Sequence, residues 1–422
     1  MGRAAVRRRM FLSAAATAPA ALIARPALAA TQLRVFISKQ ERPDVMRKAF
    51  DLYEAAHPGV KVALEAGPTT SEAQAQYLNT VLSARDSSLD FFLLDVIRPA
   101  QFAAAHWTVP LNKAVGDVPK LMGTYLPAYA AADQVGGDLV ALPGFADAMF
   151  LYYRKDLLDK YGLKPPATWT ELVAQAKQIT AGEKTPGLQG LSFQGAPIEG
   201  AVCTFLLPYW STGHDLITAG KPSFDVQAAT KALALWRGFI DQGVAPRTIA
   251  QATTEDTRQD FQAGKVVFGV CWSYAWALFQ GRNSAVVGKV GVAKLPAVPG
   301  GSSVSCIGGW QWGVSAFSRH KAEATGLVRF LSSPKIAKLL AVDASMLPVF
   351  PATYEDPAVL KADPWFAAAG PVLKTAKSRP VTPRYNAVSE IIRTDFNAVM
   401  AGTMQPAAAA KNMAVRLKRV LT

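Results

Sequence analysis

Two short stretches carry the side chains whose types and spacing could do chemistry: Trp272-Ser273-Tyr274 and Gly308-Gly309-Trp310-Gln311-Trp312-Gly313. Both belong to or follow extended runs. Side chains alternate there with a period of two, so Trp310 and Trp312 are expected on one side. Gly308 and Gly309 ahead of them bring the backbone close to a neighbour. Aromatic plates together with carboxylates suit a polyhydroxylated ring, which presents a face of C–H groups and an edge of hydroxyls. Acids stand in suitable places: Glu41 after the first strand, Asp95 at the end of LDFFLLDV, and Asp147 between two apolar runs. For the aromatics the competing reading is core packing, and it is the preferred one for Trp210 and Trp276. For Asp147 the competing reading is a turn cap.

Catalytic signatures are missing. The chain has no P-loop, no dinucleotide glycine fingerprint, no H-E-x-x-H, no C-x-x-C and no G-x-S-x-G. Four histidines, His57, His106, His214 and His320, give little material for a nucleophile relay or a multi-histidine metal site. Neither a catalytic residue, a metal nor a cofactor is therefore expected. Glycoside hydrolysis needs only two carboxyl groups at the right separation, which keeps a secreted carbohydrate-active hydrolase as the rival class.

The elements that must position these residues read as alternating strands and helices. Leu33-Arg34-Val35-Phe36-Ile37 is a strand; residues 43–57 form a helix with Pro43 in the first turn and Val45, Met46, Ala49, Phe50 and Tyr53 on one face. Residues 60–65 and 89–96 are further strands, separated by a helix that opens at the capping box Ser71-x-x-Gln74. This alternation predicts a largely parallel sheet covered by helices, with ligands beyond the carboxyl ends of the strands. Residues 139–162, LVALPGFADAMFLYYRKDLLDKYG, are a strand, a break at Pro143-Gly144, a second strand and a helix start. Such a run takes the chain from one sheet into another. A second αβ unit follows: a helix from the Thr168-Trp169-Thr170-Glu171 box, a short strand over 187–193, helices over 226–242 and 255–262, and strands over 265–271 and 290–295. Helices over 321–331, 334–342, 388–400 and 408–421 complete the chain.

The 422 residues suffice for two or three domains, and 50% hydrophobic with 18% charged side chains is ordinary for a globular chain. Residues 1–30 read as an export peptide: Arg7-Arg8-Arg9, a small-residue apolar stretch and an A-x-A signal at Ala27-Leu28-Ala29. Arg8-Arg9-Met10-Phe11-Leu12 suggests the twin-arginine route, with cleavage near Ala29 and a periplasmic product. The first thirty residues hold five of the arginines and no acid, so the remaining chain carries a formal charge of +9. Its bases are scattered over helix faces without a long basic run, which argues against a nucleic-acid partner. Cys203, Cys271 and Cys306 lie far apart in apolar surroundings; two of them joined, or all buried as thiols, are both open.

The segment around Asp147, with its LYYRKDLL-like run and YG, resembles the hinge-crossing segment of the extracytoplasmic solute-binding proteins of ABC sugar importers (bacterial extracellular solute-binding protein family 1). The resemblance extends to Trp272-Ser273-Tyr274, to GGWQWG at 308–313 and to Arg379-Pro380-Val381-Thr382-Pro383-Arg384-Tyr385, as in the trehalose- and maltose-binding branch. It implies an α/β, two-lobed, type II periplasmic-binding-protein fold, each lobe a mostly parallel sheet covered by helices, with three hinge crossings. Lobe one would hold 31–145 and 290–340, and lobe two 146–289 and 341–422. Glu41, Asp95, Asp147 and Arg384 would hydrogen-bond hydroxyls, while Trp272, Tyr274, Trp310 and Trp312 would stack on ring faces beside Gly309. The implied partners are a di- or oligosaccharide and the permease subunits of an inner-membrane transporter, the protein acting as a monomer. The SKQERP loop and Arg98 depart from the family pattern by putting bases near the cleft. They keep glycerol phosphate or another anionic polyol as an alternative ligand.

Overall fold

The computed structural model describes residues 1, 30–68, 70–218 and 220–422; the expected export peptide, over 2–29, lies outside the described residues. The main sheet has eight strands. In chain order they are Thr31–Ser38 (β1), Val60–Gly67 (β2), Phe91–Asp95 (β3), Leu142–Arg154 (β4), Gln189–Ser192 (β5), Val266–Trp272 (β6), Val290–Ala293 (β7) and Ile307–Val314 (β8). The helices that matter for the site are Pro43–Ala56 (α1), Ser71–Ser83 (α2), Glu199–Ser211 (α3), Val226–Asp241 (α4), Thr254–Gln262 (α5), Tyr385–Ala401 (α6) and Pro406–Leu421 (α7).

β4 belongs to both halves of the molecule. Over Leu142–Ala148 it pairs antiparallel with β8, and from Met149 to Arg154 it pairs antiparallel with β6 and β7. The partner switch falls between Ala148 and Met149, immediately after Asp147. On one side β1 pairs parallel with β2 and β3, as the helices α1 and α2 between them require. On the other side β6 pairs parallel with β5. The two-lobed α/β architecture is thus as expected, but each sheet is mixed rather than mostly parallel. Strands β4 and β8 enter from the crossing and not through a strand-helix-strand unit, so nothing forces them to run with their neighbours.

Two large cores lie against the sheet, and the first extends past the crossing to Phe150, Tyr152 and Cys271. The first gathers Leu33, Phe50, Phe91, Trp312, Leu327 and Leu347 under α1 and the helices beyond residue 320. The second gathers Trp169, Phe193, Phe205, Trp236, Phe396 and Leu417. Helix α3 is buried on every face, which explains a sequence apolar all round; α4 and α6 pack on it, and α7 packs on α4 and α6. Trp210 is 1% exposed, and Trp276 packs on Trp365 with ring centroids 5.4 Å apart, as their core readings require. Cys203, Cys271 and Cys306 are free and buried. No helix among the described residues is long and apolar enough to cross a membrane.

Candidate ligand-binding site

The ends of strands β3, β6 and β8 meet the middle of β4 at one place, and helices α2, α3 and α5 begin there. Between them lies a cavity of about 880 Å³ including its mouth, lined by Asp95, Asp147, Trp272, Tyr274, Gly309, Trp310 and Arg379 together with the first-turn residues of the three helices. An indole arrives from each lobe. Trp272 closes β6 and donates Nε1–H to Gln194 Oε1 at 3.2 Å; Trp310 lies on β8 opposite Asp95 of β3. Gly308 is a steric necessity under Trp272, because a Cβ there would sit 2.7 Å from the indole Cζ3. Gly309 has φ near +112° and a Cβ would meet the Phe145 carbonyl at 2.7 Å, so β8 can cross β4 closely only with glycine at this point.

The polar lining is rich in carboxylates, each held in place. Asp147 Oδ1 accepts from the backbone N–H of Ala148 at 2.8 Å, from Ser273 N–H at 2.9 Å and from the Ser273 hydroxyl. Among the described residues Oδ2 accepts nothing and is left for the cavity. The Tyr129 hydroxyl donates to the Asp147 carbonyl at 2.7 Å, pinning the crossing strand. Burial pushes the Asp147 carboxyl up to about 7, helped by the charge of Asp95 and opposed by the Ser273 and Ala148 donors. Asp95 accepts from the Ser71 hydroxyl at 2.7 Å and from Arg379 Nη2 at 3.2 Å. Arg379 also donates from Nη1 to Glu199 Oε1 at 2.8 Å, so one guanidinium, 3% exposed, ties an acid of each lobe. Glu199 further accepts from Ser389 at 2.6 Å and from the Tyr385 hydroxyl. The Tyr274 hydroxyl donates to Glu255 Oε1 at 2.5 Å. Glu72, Glu199 and Glu255 each stand in the first turn of their helix, at the positive end of its dipole.

Comparison with known proteins places this geometry. A family model described as bacterial extracellular solute-binding protein matches residues 38–338. The chain belongs to this family. A probable ABC transporter-binding protein of Deinococcus radiodurans is 35% identical over 385 residues, covering 89% of this chain and 90% of that one. A mannitol-binding protein of Pseudomonas aeruginosa is 25% identical over 431 residues, covering 95% and 97%. Among solved structures, maltose-bound MalE3 of T. maritima superimposes with a TM-score of 0.85 at 34% identity, covering 92% of this chain and all of that one.

Of the residues singled out from sequence, Asp95, Asp147, Trp272, Tyr274, Gly309 and Trp310 meet at the cavity of this solute-binding protein. Three do not. Glu41 is 1% exposed and turns inward, where its Oε2 accepts from Ser38 N–H at 2.7 Å; burial pushes its carboxyl up to about 8. Trp312 is 1% exposed and packs against Phe91 and Phe50, with centroids 5.7 and 6.4 Å away. The alternation that suggested a shared face with Trp310 ignored a β-bulge at Trp310/Gln311 and the depth gained by two residues, about 6.6 Å of strand. Arg384 is exposed at the start of α6 and donates to the Val420 carbonyl at 2.7 Å. The arginine of the RPVTPRY stretch that reaches the cavity is Arg379. Sequence reasoning also missed Glu72, Glu199 and Glu255. The signal was available as a first-turn acid on each helix opening into the cleft.

Proposed function

We propose that the protein is the substrate-binding component of an ABC importer and captures a sugar, a di- or oligosaccharide, between its lobes for delivery to a membrane permease. The observation that carries this reading is the cavity at the lobe junction with an indole from each lobe and a ring of oriented carboxylates. Trp272 and Trp310 offer plates for ring faces, while Asp147 Oδ2 and Glu255 offer acceptors for hydroxyls. The mannitol-binding relative and the maltose-bound neighbour support a polyhydroxylated ligand. Ligand bridging both lobes stabilises the closed form by its differential affinity for it.

The lobes divide as follows in this reading. Residues 149–293 with the helices from 385 onward form lobe two, and 31–148 with 307–376 form lobe one. Residues 290–293 move to lobe two because β7 pairs with the far end of β4, and 341–376 move to lobe one because the Leu347 carbonyl accepts from Ala146 N–H and the Val349 carbonyl from Leu126 N–H. The hinge segments are then 148–149, 294–306 and 377–384. The protein is exported to the periplasm, acts as a monomer and turns nothing over. A thermal-shift panel of maltose, trehalose and mannitol tests the reading, since a ligand specific to the folded state raises stability by mass action. A saturable rise with at least one sugar is expected. Release of reducing sugar from a glycoside at an enzyme-like rate would instead establish the hydrolase alternative.

A further inference from the structure

Behind Glu72 and Glu199 a second cavity opens between α2 and α6, about 890 Å³ including its mouth, lined by Arg98, Asn386 and Arg393 among other polar side chains and by no aromatic residue. Arg98 comes from lobe one and is 5% exposed. Its hydrogen-bond partners are the carboxamide oxygens of Asn386 and of Gln101, the latter at 3.4 Å, and its Nε is buried without a partner. Among the described residues it forms no ion pair. Arg379, equally buried, holds two carboxylates. A buried guanidinium is ordinarily paired, because an uncompensated charge out of water is costly. Arg393, from lobe two on α6, faces the same cavity and reaches an acid only at a long 3.7 Å, Glu72 Oε1.

Of the three acids lining it, Glu72 and Glu199 are engaged by other donors. Glu199 accepts from Arg379, Tyr385 and Ser389, and Glu72 Oε1 accepts from the Glu199 backbone N–H at 2.5 Å. Glu390 is exposed at the rim. We propose that this second cavity is an oxyanion subsite in which Arg98 and Arg393, one from each lobe, hold a phosphate or carboxylate group. Planar guanidinium forks are the side chains suited to such groups. The two cavities share Glu72 and Glu199 as a wall, so an anionic substituent on a sugar seated between Trp272 and Trp310 would extend past it. In the first cavity the ionised side chains are carboxylates and an arginine already paired twice.

The inference concerning an acidic sugar rests on the proposed sugar-binding function, and the experiment separates the two. Calorimetric titrations would compare maltose with maltose 6-phosphate, trehalose with trehalose 6-phosphate, and inorganic phosphate alone, on the wild-type protein and on Arg98→Gln and Arg393→Gln. For at least one pair, wild type should bind the phosphorylated sugar about tenfold or more tighter than its neutral parent. Each variant should erase that advantage and leave neutral binding unchanged, and the advantage should shrink with added salt. Binding of inorganic phosphate that is lost in both variants and does not compete with neutral sugar would support the subsite with a free anion as its occupant. Neutral sugars binding as well as or better than their phosphates, with no phosphate binding, would overturn the inference and leave the proposed function standing. Failure of every sugar with phosphate binding intact would overturn the proposed function instead. Should Arg98→Gln not fold, Arg393→Gln alone decides, because that side chain is partly exposed.

Discussion

Replacing Trp310 and Trp312 one at a time by alanine should have opposite consequences. Trp312 lies between Phe50 and Phe91 in the lobe-one core, and its Nε1 is so close to Gly144 that a Cβ there would stand 3.0 Å away. Truncation leaves a cavity with little room to relax, a loss of about 3 to 5 kcal/mol. At about 2 to 4 °C per kcal/mol for a folding unit of this size, the apo melting temperature should fall by roughly 10 °C. Affinity would change only through the unfolded fraction. Trp310 is half-buried with one face on the cavity. Its truncation should cost about 2 kcal/mol or more of binding, as for an aromatic anchor, or about thirtyfold in Kd, with a much smaller melting shift. Calorimetric titration and thermal melts on both variants supply the four numbers. Wild-type sugar affinity in Trp310→Ala, or an unmoved melting temperature in Trp312→Ala, would refute the reasoning from depth and bulge.

Arg379→Met should destabilise the fold by about 3 to 5 kcal/mol, because Asp95 and Glu199 are left buried and facing one another without their shared cation; Arg379→Lys should fail to restore it in a denaturant melt, since one ammonium cannot span both. The Asp147 carboxyl is raised to about 7 in the folded protein, so the folded state holds an extra proton between the ordinary carboxylate range and that value. Its contribution to stability is therefore complete at low pH and lost as pH rises to 7. Glu41, raised to about 8, has the same sign, so the difference between wild-type and Asp147→Asn melting curves across pH 4 to 8 isolates Asp147; a flat difference would contradict the assignment. Sugar affinity should rise with pH through 7 in wild type and stay level in Asp147→Asn, because only the ionised carboxylate accepts freely from hydroxyls. Arg384→Ala should leave sugar affinity unchanged in the same titration, in keeping with its exposed place on α6.

Much of this was legible in the chain because local rules and global fold agree. The apolar run of β4, broken at Pro143-Gly144, announced a crossing, and the partner switch falls beside Asp147. The alternation from β1 to β3 announced a sheet covered by helices, and the aromatic and glycine clusters announced the cavity. What escaped depended on distance in space. Nothing in the RPVTPRY stretch says whether Arg379 or Arg384 turns inward; burial between Asp95 and Glu199, 284 and 180 residues away in sequence, decides it. Periodicity gives the side of a strand and not the depth, which is why Trp312 and Trp310 were grouped. Glu41 sits beyond a strand's carboxyl end as a ligand residue would, yet the turn after β1 folds it back onto Ser38.

The central claim is tested most directly by a crystal structure of the protein with a sugar that raises its melting temperature. Ring density is expected between Trp272 and Trp310, with hydroxyls within hydrogen-bond distance of Asp147 Oδ2 and Glu255. Ligand density elsewhere on the protein, with the cavity between the lobes filled only by water at saturating sugar, would contradict it.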